Sequence, residues 1–98
     1  MEALSKPEVV EFIALQLKGW ALEDSTIVRD FKFKTFVDAF SFMTAIALTA
    51  EKMNHHPDWS NSYNRVNITL TTHEAHGITQ RDFDLASSID RIWKNFQE

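Results

Sequence analysis

The patterning of this chain predicts an α+β fold: a four-stranded antiparallel sheet with three helices packed on one face, in the order α-β-β-α-β-β-α. Three observations carry that expectation. Ser5-Lys6-Pro7-Glu8, Thr35-Phe36-Val37-Asp38 and Thr79-Gln80-Arg81-Asp82 each place a hydroxyl three residues before a carboxylate, the arrangement that caps a helix start, and each precedes apolar residues at helical spacing. Between these starts lie two pairs of short alternating segments, each pair broken by turn residues. With 98 residues and 44% apolar content the chain can close one core and has little margin for another, so residues 1–98 form one domain.

The first helix starts at Ser5, with Pro7 losing nothing in a first turn whose N–H groups have no intrahelical partner. Val9, Phe12, Ile13 and Leu17 give it an apolar stripe through Lys18, and Gly19 supplies a left-handed end. Trp20 to Glu23 and Thr26 to Lys34 form a hairpin around Asp24-Ser25. In its second strand Ile27, Arg29, Phe31 and Phe33 alternate with Val28, Asp30, Lys32 and Lys34, which gives one mostly apolar and one mostly polar face. The helix opened by Thr35 is the longest, with Phe36, Phe40, Met43, Ala47 and Ala50 as its stripe and Asn54 as its close. Phe42, Ile46 and Met53 widen that stripe, enough to cover both the sheet and another subunit. A second hairpin follows, Asp58 to Tyr63 and Arg65 to Thr72 around Asn64, with Val66, Ile68 and Leu70 on one face. Leu85, Ala86, Ile89, Ile92, Trp93 and Phe96 line the last helix, with Asp82 on the same face in its first turn.

Composition excludes several function classes. A net charge of −4 with scattered Lys and Arg offers no basic stripe for a phosphate backbone, so direct nucleic-acid binding is not expected. The absence of cysteine removes disulfides, thiolate chemistry and cysteine-based zinc sites together. No segment approaches the length of a membrane span and the N-terminus lacks a leader pattern, so a cytoplasmic protein is expected.

All four histidines fall between Glu51 and Asp82. His55 and His56 sit at the end of a helical pattern before Pro57, and His73 where a strand pattern gives out. Imidazole exchanges protons near neutral pH, so three of them at element ends point to proton-transfer chemistry. Without further context, such an adjacent pair is more often a solvated helix end, where imidazolium is favoured by the helix dipole. Glu51 and His55, four apart on one helix face, could with His73 and His76 ligate a metal, although the spacing fits no closed zinc motif.

Glu51-x-x-x-His55-His56-Pro57, Tyr63 six residues after the proline, His73 ten after that and Asp82 nine further on resemble the pattern of the pterin-4a-carbinolamine dehydratases. The run AFSFMTAIALTAEKMNHHPDWSNSYNRVNITLTTHEAHGITQRDFDLA is similar to that family through most of its length. The resemblance implies dehydration of 4a-hydroxytetrahydropterin to the quinonoid dihydropterin, the recycling step after an aromatic amino acid hydroxylase turns over, with no cofactor. It implies His55, His56, His73 and Asp82 as catalytic residues, with Glu51, Asn54 and Trp20 binding substrate. Many relatives carry Asp where this chain has Asn54, and a neutral amide can hydrogen-bond an imidazole but cannot stabilise its cation by charge. The resemblance also implies a homodimer or homotetramer, and it extends to proteins that serve as dimerisation cofactors of a homeodomain transcription factor. An enzyme would lose turnover with its histidines; a pure adaptor would tolerate His55→Ala and His73→Ala.

Overall fold

The computed structural model describes residues 2–97, so the two terminal residues of the expected domain lie outside it. Its elements are α1 (Lys6–Gln16), β1 (Ala21–Glu23), β2 (Thr26–Lys32), α2 (Phe36–Met53), β3 (Asp58–Ser62), β4 (Arg65–Leu70) and α3 (Gln80–Lys94), with a single 3-10 turn at His73–Ala75. The strands form one antiparallel sheet in the order β1-β2-β4-β3. The predicted class and element order hold.

Register explains the two faces. Ile27 pairs with Leu70, Arg29 with Ile68 and Phe31 with Val66, so the apolar positions of the two central strands share one side. There they are buried with Phe42 and Ile46 of α2 and Leu85 and Ile89 of α3. Asp30, Lys32, Ser60, Arg65 and Asn67 occupy the opposite, exposed side, as alternation requires. The core is rich in rings: Phe31, Phe33, Phe42, Trp93 and Phe96 meet in tilted and edge-on pairs, the arrangement aromatic quadrupoles favour.

Three local expectations change. Gly19 does not end α1 in a left-handed conformation: Leu17 caps the helix and no described glycine has positive φ. A Cβ at this position would stand 2.5 Å from the Arg29 guanidinium carbon, so any larger residue would have to displace that side-chain end. On α2 the buried stripe is Ala39, Phe42, Ile46 and Ala50, whereas Phe36 and Phe40 are exposed together with Val37 and Leu48. The helix carries more apolar surface than the core can cover, and the row that includes Phe36 and Phe40 is left outside it. Finally, β4 stops at Leu70, and Thr72 closes a small loop onto Gly77, so His73 sits in a turn and not on a strand.

Trp20 is buried, and its indole N–H donates to Asp90 Oδ1 at 2.9 Å. Arg29 donates to the same oxygen at 2.9 Å while its guanidinium lies 4.6 Å from the centre of the Phe31 ring. Burial pushes the Asp90 carboxyl above its ordinary range, against the pull of Trp20 and Arg29. Trp20 therefore joins α3 to the β1–β2 edge. Trp20→Phe is expected to lower unfolding free energy by about 1–3 kcal/mol, because it leaves Asp90 one donor short, which urea denaturation would read.

Candidate functional site

The end of α2 builds the first wall of the site. Asn54 caps the helix at φ 53°, ψ 42°, its N–H bonds to Ala50 and Glu51 carbonyls, and the His55 N–H reaches back to the Ala50 carbonyl at 3.1 Å. This is a left-handed helix stop, and among non-glycine residues Asn is one of the few that adopt it at low cost. The backbone reversal comes at Asn54, just before the histidine pair, and Pro57 keeps the chain extended afterwards. His55 consequently turns into the protein and His56 faces outward.

His55 is 7% exposed, and its Nε2 lies 2.6 Å from Asp82 Oδ1. Asp82 is itself fully buried at the start of α3. Its second oxygen, Oδ2, accepts the Thr79 backbone N–H at 2.9 Å and the Thr72 hydroxyl at 2.8 Å. Capping the helix and holding His55 thus use different oxygens of one carboxylate. Because the carboxylate accepts and Nε2–H donates, the ring is held in one tautomer, with Nδ1 as the nitrogen available to a ligand. His56 Nε2 is 2.8 Å from Glu51 Oε1, with both side chains largely in solvent. His73 is exposed, with Nε2 3.8 Å from Asp58 Oδ2.

These groups share a depression of about 350 Å³ lined by Asn54, His55, His56, Thr71, His73, Glu74 and Arg81. Its floor is the end of α2 and its far wall the turn after β4. The structure thereby brings together His55, His56, His73 and Asn54, with Asp82 behind the first and Glu51 beside the second. Trp20 is not among the lining residues and bonds instead to Asp90 of α3. His76 caps the 3-10 turn at φ 58° and is absent from the pocket lining. Among the described residues, no group of three or more His, Cys, Asp or Glu is arranged to hold a metal ion.

Arg81 is a pocket residue that the sequence reading passed over. Its guanidinium donates to the Asn54 carbonyl at 2.7 Å and lies 3.5 Å from Glu74 Oε2, so it ties α3 to the end of α2. A signal was present: a cation in the first turn opposes the helix dipole and therefore calls for a partner elsewhere. Asp58, the first residue of β3, stands beside His73, a proximity that no local sequence pattern shows.

The histidine pocket lies at the end of α2 and the turn after β4 of a three-helix, four-stranded fold, and residues 2–92 match the family profile of Pterin 4 alpha carbinolamine dehydratase. The chain belongs to that family. It is 52% identical over 93 residues to a protein of Rhizobium johnstonii provisionally named a pterin-4-alpha-carbinolamine dehydratase, covering 93% of this chain and 91% of that one. A Prochlorococcus marinus protein with the same provisional name is 49% identical over 85 residues, covering 87% and 88%. The crystal structure of a transcriptional coactivator/pterin dehydratase from Brucella melitensis superposes with a TM-score of 0.88 at 43% identity, over 93% of this chain and 98% of that one. A pterin dehydratase-like RuBisCO assembly factor of the alpha-carboxysome shares the fold, with a TM-score of 0.64 at 20% identity over 76% of this chain and 86% of that one.

Proposed function

We propose that this protein dehydrates a pterin-4a-carbinolamine to the quinonoid dihydropterin by histidine acid–base catalysis, serving the turnover of an aromatic amino acid hydroxylase in the cytoplasm. The observation that carries the reading is the buried His55–Asp82 pair opening onto a pocket that His56 and His73 also line. In the reaction the N5 proton is removed, its electron pair forms the C4a=N5 double bond, and the C4a hydroxyl leaves as water after taking a proton. One base and one acid on different sides of two ring atoms are sufficient.

His55 suits the base: Nε2–H is committed to Asp82, so Nδ1 carries the lone pair, and the imidazolium formed on proton uptake has a carboxylate already in contact. His73 approaches from the facing turn and supplies the proton to the leaving hydroxyl, with Asp58 beside it. His56, braced by Glu51, holds the ring, and Asn54 and Arg81 offer polar contacts to its edge. Trp20 takes no part in this scheme, so Trp20→Phe should leave KM for the carbinolamine within about twofold of wild type.

Steady-state turnover of a synthetic carbinolamine tests the proposal. An enzyme shows acceleration that depends on the histidines; a protein acting only as a coactivator shows none, and would bind its partner unchanged after His55→Ala. The scheme needs only nitrogen and oxygen acids and bases, so exhaustive chelation is expected to leave the rate unaltered. Activity lost with a stoichiometric metal and regained on its return would overturn it.

The exposed apolar row on α2, Phe36, Val37, Phe40 and Leu48, supports the proposal of a homodimer or homotetramer. Sedimentation at micromolar concentration should show a species at least twice the 11.4 kDa chain mass, and a monomer alone would refute it.

A further inference from the structure

We propose that Thr72 is a positioning residue that sets the tautomer of His55 through Asp82 and, through its backbone, fixes the turn that carries His73. Thr72 is fully buried, and its hydroxyl lies 2.8 Å from both Asp82 Oδ2 and the Thr79 hydroxyl. A threonine hydroxyl has one proton to donate. Since Thr72 gives that proton to the carboxylate, the contact with Thr79 runs the other way, with the Thr79 hydroxyl as donor. Thr79 Oγ1 in turn accepts the Arg81 N–H at 3.3 Å. Every bond in the chain Arg81, Thr79, Thr72, Asp82 therefore points at the carboxylate, the arrangement in which successive hydrogen bonds polarise one another.

The consequence lies at His55. With Oδ2 filled by Thr72 and the Thr79 N–H, Asp82 has only Oδ1 to offer the ring, and its side chain cannot rotate without breaking two buried bonds. That holds the acceptor on the axis of Nε2–H and leaves Nδ1 unprotonated in the neutral ring. The same residue bridges Gly77 through backbone bonds, Thr72 N–H to the Gly77 carbonyl at 2.9 Å, and so closes the loop that begins with His73. Thr72 thus holds the two histidines assigned to proton transfer in a common frame. Its hydroxyl does not open onto the depression, which its neighbours Thr71 and His73 line and Thr72 does not.

Thr72→Val keeps the shape of the side chain and removes the hydroxyl, and Thr72→Ser keeps the hydroxyl. The kinetic arm rests on the dehydratase reading above: kcat of Thr72→Val should fall about 10- to 100-fold, KM should change by less than about threefold, and Thr72→Ser should restore most of kcat. The second arm is independent of any activity. Two-bond ¹⁵N–¹H correlation spectra of ¹⁵N-histidine protein should show His55 wholly in the Nε2–H tautomer in wild type and Thr72→Ser, and a mixture of tautomers in Thr72→Val. A Nδ1–H tautomer in wild type overturns the proposal, even should Thr72→Val fail to fold, and so does a folded Thr72→Val whose His55 spectrum is unchanged. The predicted spectra from a protein without dehydratase turnover would uphold the positioning role of Thr72 and refute the functional reading alone.

Discussion

His55→Ala is expected to lower kcat for carbinolamine dehydration by about a hundredfold to ten-thousandfold, the usual consequence of removing a general acid or base. Two features of the structure make this the most damaging of the histidine substitutions. His55 is the buried one, held at 2.6 Å by a carboxylate that has no solvent contact, whereas His56 and His73 have their side chains 56% and 77% exposed. Water can replace an exposed imidazole as a proton carrier far more readily than a buried one. His73→Ala should therefore lower kcat less steeply than His55→Ala, and His56→Ala should appear chiefly in KM. Steady-state kinetics of the three variants, with folding checked by circular dichroism, reads the division directly. Should His56→Ala lower kcat far more than His55→Ala, the roles are assigned wrongly even where the reaction is right.

The fold was legible because its determinants are local. Ser5 with Glu8 and Thr79 with Asp82 make full capping boxes, and Thr35 accepts the Asp38 N–H, so each helix start follows from four consecutive residues. The strand alternation of Ile27, Phe31, Val66, Ile68 and Leu70 similarly needs nothing from outside each strand. What the sequence could not show was which of two apolar faces on α2 meets the sheet, since Phe36–Phe40 and Phe42–Ile46 have comparable spacing and the choice depends on where β2 and β4 place their large side chains. In the site, the histidines were found from spacing and family resemblance, and Asp82 from the same pattern. The partners were not: Thr72, Asp58 and Arg81 reach the pocket or its supports through contacts 10 to 27 residues apart, distances at which no local pattern operates. Trp20 shows the converse. Its position after a helix end says nothing about direction, and its indole is drawn to Asp90, 70 residues away in sequence.

Asp82→Asn separates the two tasks of the buried carboxylate. Oδ2 receives a backbone N–H from Thr79 and the Thr72 hydroxyl, so an asparagine must set its carbonyl oxygen there; the reverse setting would press an NH₂ group against the Thr79 N–H. The amide nitrogen then faces His55 and donates where Asp82 Oδ1 accepted. His55 can answer only with an unprotonated Nε2, which moves its proton to Nδ1 and removes the lone pair that the proposed reaction needs. The helix cap survives, so stability should fall by only about 1–2 kcal/mol, while kcat should fall about a hundredfold to ten-thousandfold, the upper end being what an orienting aspartate to asparagine change exacts in the serine protease triad. Asp82→Ala behaves differently. It leaves the Thr79 N–H, the Thr72 hydroxyl and the His55 ring N–H without a buried acceptor, and should cost about 3–5 kcal/mol of unfolding free energy, a large share of what a domain of this size possesses. Urea denaturation and steady-state kinetics on both variants distinguish the tasks. Asparagine at position 82 that folds as wild type does and retains full kcat would show that the tautomer of His55 is not what the reaction depends on.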